Sequence, residues 1–214
     1  MTAPDPTPTP RSCTSGAGER RERRETPAQL ARSPERAERA ERAERAERAE
    51  RVLAEARWPE VGDGPPPALP GFVHSDFAPV VVAVADRCLA RHHGTGPLPA
   101  GNRTAVVLVS AGGDRASAAH VRATVAAGGR VGPLFFFQSV PNSVAGHVAA
   151  RWGLDGPVVC LSPTRDPRAE GAAEADLLLY DGDADQVLLV LIEQASDGTP
   201  SEAVAVLLGE GTDQ

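Results

Sequence analysis

The sequence predicts an α/β fold, a mixed β-sheet flanked by helices. Three observations carry this. Short apolar runs of strand length, Thr104–Ser110 (TAVVLVS), Pro157–Leu161 (PVVCL) and Gln186–Glu193 (QVLLVLIE), alternate with longer runs of helical period. Glycine and proline separate them, with Gly128-Gly129 and Gly153 each closing a helical run. The last two strand-like runs, QVLLVLIE and Ala203–Leu208 (AVAVLL), flank a DGTP turn at 197–200, which adds an antiparallel pair to an otherwise parallel sheet.

The elements follow in order. Residues 1–34 form a tail rich in Pro, Ser and Arg whose first 18 residues hold little apolar surface to bury, and the tail is expected to be disordered. Residues 35–51 are a triplet repeat, ERAERAERAERAERAER. Glu38 and Arg42, Glu41 and Arg45, and Glu44 and Arg48 stand at i,i+4 in the favourable order, each pair adding roughly 0.2–0.5 kcal/mol to a helix. A period of three drifts around a 3.6-residue helix and leaves no apolar stripe, so the repeat predicts a solvated, ion-paired single helix rather than a coiled coil. The globular domain is placed at 52–214, where RVLAEARW either continues that helix or forms a first strand. Asp76–His92 carries apolar residues at 77, 80, 81, 84, 88 and 89, a helical pattern. Helices are also expected at Arg115–Ala127, Asn142–Trp152 and Pro167–Tyr180, the last with Pro in its first turn, and Leu134–Gln138 is a short apolar run.

Composition excludes several classes. The 214 residues are 41% hydrophobic, enough for one packed domain and a tail. No apolar run approaches the ~20 residues of a membrane helix. The N-terminus has no apolar segment of the kind that marks a secretory signal or precedes a lipoprotein anchor at Cys13. Three widely spaced cysteines, Cys13, Cys88 and Cys160, predict free thiols in a reducing cytoplasm. Residues 1–51 hold 12 Arg and 10 acids, whereas the rest holds 10 Arg and 19 acids. An acidic globular part speaks against nucleic-acid binding and against simple steering of an acidic carrier protein onto it. No Cys/His spacing fits zinc, no Lys exists to serve a phosphate loop, and no GxGxxG or GxSxG motif is present, so neither metal nor cofactor is expected. SAGGD, after TAVVLVS, reads as an ordinary strand-to-helix turn.

One segment is more specific. Phe135–Pro157 reads FFFQSVPNSVAGHVAARWGLDGP and runs on into VVCLS. It resembles the N-terminal half of a β-ketoacyl synthase, in which a helix is followed by Gly-Leu-x-Gly-Pro, a strand and the nucleophilic elbow. GFVHSDFAPVVVAVADRCL, RTAVVLVSAGGD and DGDADQVLLVLIE fit the same pattern, so the resemblance covers about residues 52–209. It implies the N-terminal half of a thiolase-like fold, nearest to the chain-length-factor-like members that lack the cysteine.

The resemblance also locates the chemistry. The family text GPSLTVDTACSSS stands against GPVVCLSPTRDPR here, and the nucleophilic cysteine column falls on Arg165. Counting back from Gly182 reaches the same column. A guanidinium does not attack a thioester, and at a buried helix N-terminus it would face the positive end of the dipole, with Asp166 to offset it. Cys160 is the weak alternative nucleophile, read here as a buried strand cysteine behaving as a small hydrophobe. Cys88 is expected on a helix core face, and His92 and His93 at that helix's C-terminus. His147 reads as a packing or surface residue, His120 has no evident partner, and His74 stands just ahead of the first helix. The family's catalytic His-His-Lys comes from a C-terminal half that has no counterpart here.

The expected function is therefore a non-catalytic, chain-length-factor-like component of polyketide or fatty-acid biosynthesis. Its expected partner is a ketosynthase-like chain, with an acyl carrier protein as a further partner. Two alternatives stand beside it: one half of a split β-ketoacyl-ACP synthase or acyltransferase, and a structural or regulatory interaction domain.

Overall fold

The computed structural model describes residues 51–194 and 201–209. The predicted tail, the repeat up to residue 50, Cys13 and the DGTP turn lie outside the described residues. Within them the order is β1 (Arg51–Trp58), α1 (Phe77–His93), β2 (Thr104–Val109), α2 (Arg115–Ala126), α3 (Pro133–Gln138), α4 (Pro141–Trp152), β3 (Val158–Leu161), α5 (Pro167–Tyr180), β4 (Gln186–Glu193) and β5 (Glu202–Gly209). RVLAEARW is thus a strand, and Arg51 opens β1 instead of closing the repeat helix. Its alternation explains this: Ala56 and Trp58 enter the core while Arg57 is exposed on the opposite face. The run at Leu134–Gln138 is a short helix led by Pro133.

The strands form one sheet in the order β1-β5-β4-β2-β3. β2 pairs in parallel with β3 and β4, and β5 runs antiparallel to both β4 and β1. β2 is buried at all six positions, as expected of a strand covered on both faces. Helices α1 and α4 cover one face, packing Phe77, Val84, Leu89, Val144 and Trp152 against Val106, Leu108, Leu188, Val190 and Leu207. On the other face only α5 packs closely, placing Ala175 and Leu178 over Val107, Val187 and Leu189. The outer side of α5 leaves Leu177 44% exposed.

The Gly-Leu-x-Gly-Pro segment has a mechanical explanation. Gly153 closes α4 in the left-handed conformation at φ +68°, which residues with a Cβ adopt only at a cost. A Cβ on Gly156 would lie 2.5 Å from the backbone carbonyl carbon of Thr104. The two glycines together turn the chain from α4 into β3 directly against β2.

The two sheet edges differ. At β1 the carbonyls of Glu55 and Arg57 accept hydrogen bonds from the guanidinia of Arg91 and Arg87. Arg87 also holds Asp63 through two 2.9 Å bonds and lies 4.9 Å over the Trp58 ring, while Arg91 holds Glu60. Those contacts hold the Asp63 and Glu60 carboxyls below the ordinary range, Asp63 chiefly through the Arg87 bond and Glu60 chiefly through Arg91. At β3, Val106 N–H donates to Pro157 and Ser110 N–H to Leu161. In a parallel ladder this turns the backbone N–H and C=O of Val158 and Cys160 outward, and no group among the described residues meets them.

Candidate functional site

In open α/β sheets, sites form beyond the carboxyl ends of the parallel strands. Here that region holds the ends of β2 and β3, the SAGGD turn and the loop Ser162–Asp166 leading into α5. A depression of about 260 Å³ lies there, walled by Leu108, Ser110, Gly112, Pro141, Cys160 and Ser162. The turn is the ordinary one expected: Gly113 N–H donates to Ser110 Oγ and Ala111 N–H to Glu193. Asp114 caps α2 through Ser117 N–H and Oγ.

Arg165 stands in the loop between β3 and α5, directly before the helix cap, and its side chain is exposed. The buried guanidinium at a helix N-terminus therefore does not arise. The N-terminal amides of α5 and the loop before it are engaged by carboxylates. Asp166 Oδ1 accepts from Arg168 N–H at 2.9 Å and Ala169 N–H at 3.3 Å. Glu170 reaches back to Thr164 N–H at 3.2 Å and Arg165 N–H at 2.9 Å. The positive end of this helix is thus already matched by two anions.

Cys160 lines the depression but is half-buried on the edge strand, not enclosed in the sheet as the sequence led us to expect, because β3 has a neighbour on one side only. Burial pushes its thiol up to about 11. None of the five histidines is among the lining residues. His92 and His93 end α1, as expected, and desolvation lowers the pKa of His93, which contacts Gln186 at 3.2 Å. His147 meets the edge of Phe72 at 6.3 Å. His120, which showed no partner in the sequence, stacks on His74 at 4.2 Å, with Phe135 against both rings. Cys88 is fully buried in α1, and burial pushes its thiol to about 11. No cluster of His, Cys, Asp or Glu among the described residues could hold a metal ion, and no described helix is long and apolar enough to cross a membrane.

A polar network at the same end of the sheet was not legible in the sequence. Gln194, 6% exposed, donates to Ser75 Oγ and Asp76 Oδ1 and accepts from Ala116 N–H. Ser201 also donates to Asp76, and Ser75 to Asp114. These contacts join the starts of α1 and α2 to the β4–β5 pair. Only the spacing of Asp114 and Ser117 carried a signal, that of a helix cap. A larger cleft of about 580 Å³ opens at the opposite end of the sheet, lined by Asn102, Thr104, Asp176, Asp181, Asp185 and Gln186. It contains no thiol and lies away from the β3–α5 turn.

This sheet order, with the helix after β3 laid over the parallel strands, is the thiolase-like α/β class. Residues 74–203 match the model of the β-ketoacyl synthase N-terminal domain, and the chain belongs to that family. No curated protein matches the chain. Solved structures do. The ketosynthase ApeO in complex with its chain length factor ApeC from Xenorhabdus doucetiae aligns at 20% identity and a TM-score of 0.59, over 76% of this chain and 79% of that chain. A β-ketoacyl synthase from Burkholderia phymatum STM815 aligns at 16% and 0.58, over 82% and 55%. The ishigamide ketosynthase/chain length factor aligns at 19% and 0.55, over 70% and 48%. The chain spans about half the length of these last two. At such identities the likeness establishes the fold.

Proposed function

We propose that this chain is a non-catalytic, chain-length-factor-like component of polyketide biosynthesis that works in the cytoplasm by pairing with a ketosynthase-like chain. The observation that carries the reading is the β3–α5 turn. In the family alignment the nucleophile column falls on Arg165, and the amides that would stabilise a thiolate there already serve Asp166 and Glu170. Cys160 has a raised thiol pKa and no histidine beside it. The open edge of β3 supports the pairing, since an unblocked strand recruits another strand. So does the Xenorhabdus complex. Nearly equal shares of the two chains align, so a chain of about this length occurs in a ketosynthase–chain length factor assembly.

The test is acyl transfer. The purified chain is incubated with acyl-thioester and acyl carrier protein, alone and with a catalytic ketosynthase, and intact mass is read on each component. The expected result is no acyl adduct on this chain and a stable complex with the ketosynthase. An adduct at Cys160 would overturn the reading in favour of one half of a split synthase.

A further inference from the structure

Helix α5 is apolar on both sides. Gly171, Ala175 and Leu178 face the sheet, and Ala169, Ala173, Leu177 and Tyr180 form an exposed stripe along the opposite side. Leu177 is 44% and Tyr180 45% exposed. A helix apolar all round belongs between two layers rather than on a solvated surface. Yet no described element packs closely over this side of α5. The sheet beside it is incompletely covered too, with Val159, Leu161 and Leu191 only partly buried.

Opposite charges stand at the two ends of the stripe. Arg165 and Arg168, at its start, are exposed and make no ion pair among the described residues. The acids at that end, Asp166 and Glu170, are already bound to backbone amides. Asp181, which ends the helix, is exposed and has no ion pair among the described residues, and Asp176 flanks the stripe in the same half. The spacing makes the seam self-complementary. Arg165, Ala169, Ala173, Leu177 and Asp181 recur every four residues and are placed symmetrically about Ala173. In an antiparallel pair of α5 helices with a two-fold axis at Ala173, Ala169 meets Leu177 of the second copy, small against large. Arg165 meets Asp181 of the second copy, together with the negative end of that helix. Alanine at the crossing lets the helix axes approach to about 8 Å.

We propose that the outer face of α5 joins two copies of this chain, helix against helix and antiparallel about Ala173. The occupant is a second copy because the stripe carries both signs of charge, each placed where an antiparallel copy brings the other. The β3 edge is a different surface, so each copy keeps it for the ketosynthase-like chain of the reading above.

The test is analytical ultracentrifugation of the full chain at low salt, with folding of each variant checked by circular dichroism. Wild type is expected to dimerise with a Kd of about 10–100 μM, since one helix offers less than a standard interface. R165D and D181R each turn two attractions into two repulsions and are expected to weaken the dimer about tenfold. Both substitutions suit the helix dipole, so the fold is expected to survive them. An equimolar mixture of R165D with D181R restores both ion pairs and is expected to dimerise within about threefold of wild type. A173E sets two carboxylates face to face at the axis and is expected to abolish the dimer; if it does not fold, the charge variants carry the test. Wild type that stays monomeric at about 500 μM overturns the inference. So does a dimer that R165D, D181R and A173E leave unchanged, or a mixture no tighter than the single variants. If D181R or A173E weakens the complex with a catalytic ketosynthase of the same genome, the face belongs to that chain and the inference fails. If wild type is monomeric and A173E lowers its sedimentation coefficient, residues 1–50 cover the face, and the inference fails likewise. Absence of any wild-type complex with the ketosynthase overturns the pairing reading alone.

Discussion

Cys160 and Arg165 stand on either side of the turn from β3 into α5, and their chemistry is set by what surrounds them. Burial without a nearby cation leaves Cys160 a poor nucleophile. With the thiol pushed up to about 11, roughly one molecule in a thousand carries the thiolate at pH 8, against about one in four for an ordinary cysteine. Alkylation of Cys160 by iodoacetamide at pH 8 is therefore expected to run at least tenfold slower than that of an unhindered cysteine, since the greater nucleophilicity of the more basic thiolate offsets only part of its scarcity, and to keep rising past pH 10. Site-resolved mass spectrometry measures it, and a rate that levels off below pH 9 refutes it. The linked stability has a definite sign. Cys88 and Cys160 hold their protons more tightly folded than unfolded, so their contribution is intact below the ordinary thiol pKa near ~8.5 and is lost as pH rises towards about 11. The urea midpoint is expected to fall across that window, and less so in C88A/C160A.

At the scale of elements, two glycines set the spacing between layers. Gly156 brings the entry to β3 against the backbone of Thr104, and Gly171 lets α5 settle on the sheet, since a Cβ there would lie 2.8 Å from Leu189 and 2.9 Å from Val109. Gly171→Ala meets side-chain tips that can shift and is expected to cost roughly 1–3 kcal/mol. Gly156→Ala meets backbone, which cannot shift without parting β2 from β3, and is expected to cost more than Gly171→Ala in the same denaturant titration. The reverse order would show that the α4–β3 turn yields. These positions also show what the sequence displayed and what it hid. The helical positions of α1 and the buried run of β2 stood out because period and apolarity report local burial. The glycines of the GLDGP motif stood out as a family pattern, and the structure supplies their mechanical reason. The Gln194–Asp76–Ser75 network, the His74–His120 stack and the half-buried state of Cys160 depend on residues brought together from distant segments or on the absence of a neighbouring strand. Linear periodicity carries none of that information.

At the scale of the whole molecule the sheet has one closed edge and one open edge. β1 is blocked because Arg87 and Arg91 occupy its outward carbonyls, a device that prevents a strand from recruiting another. β3 has no such cover among the described residues. If pairing uses the β3 edge, removing an outward donor must weaken assembly and spare the fold. Val158 provides the position: its N–H points away from β2, and its side chain is 38% exposed. Proline is tolerated on an edge strand where the lost N–H faces outward. Val158→Pro is therefore expected to leave the melting temperature within a few degrees of wild type and to weaken the ketosynthase complex at least tenfold. Val158→Lys, which keeps the N–H and adds a charge at the edge, is expected to weaken it by a smaller factor. Calorimetric titration with the ketosynthase measures both. Wild-type affinity in a folded V158P chain would remove β3 from the interface.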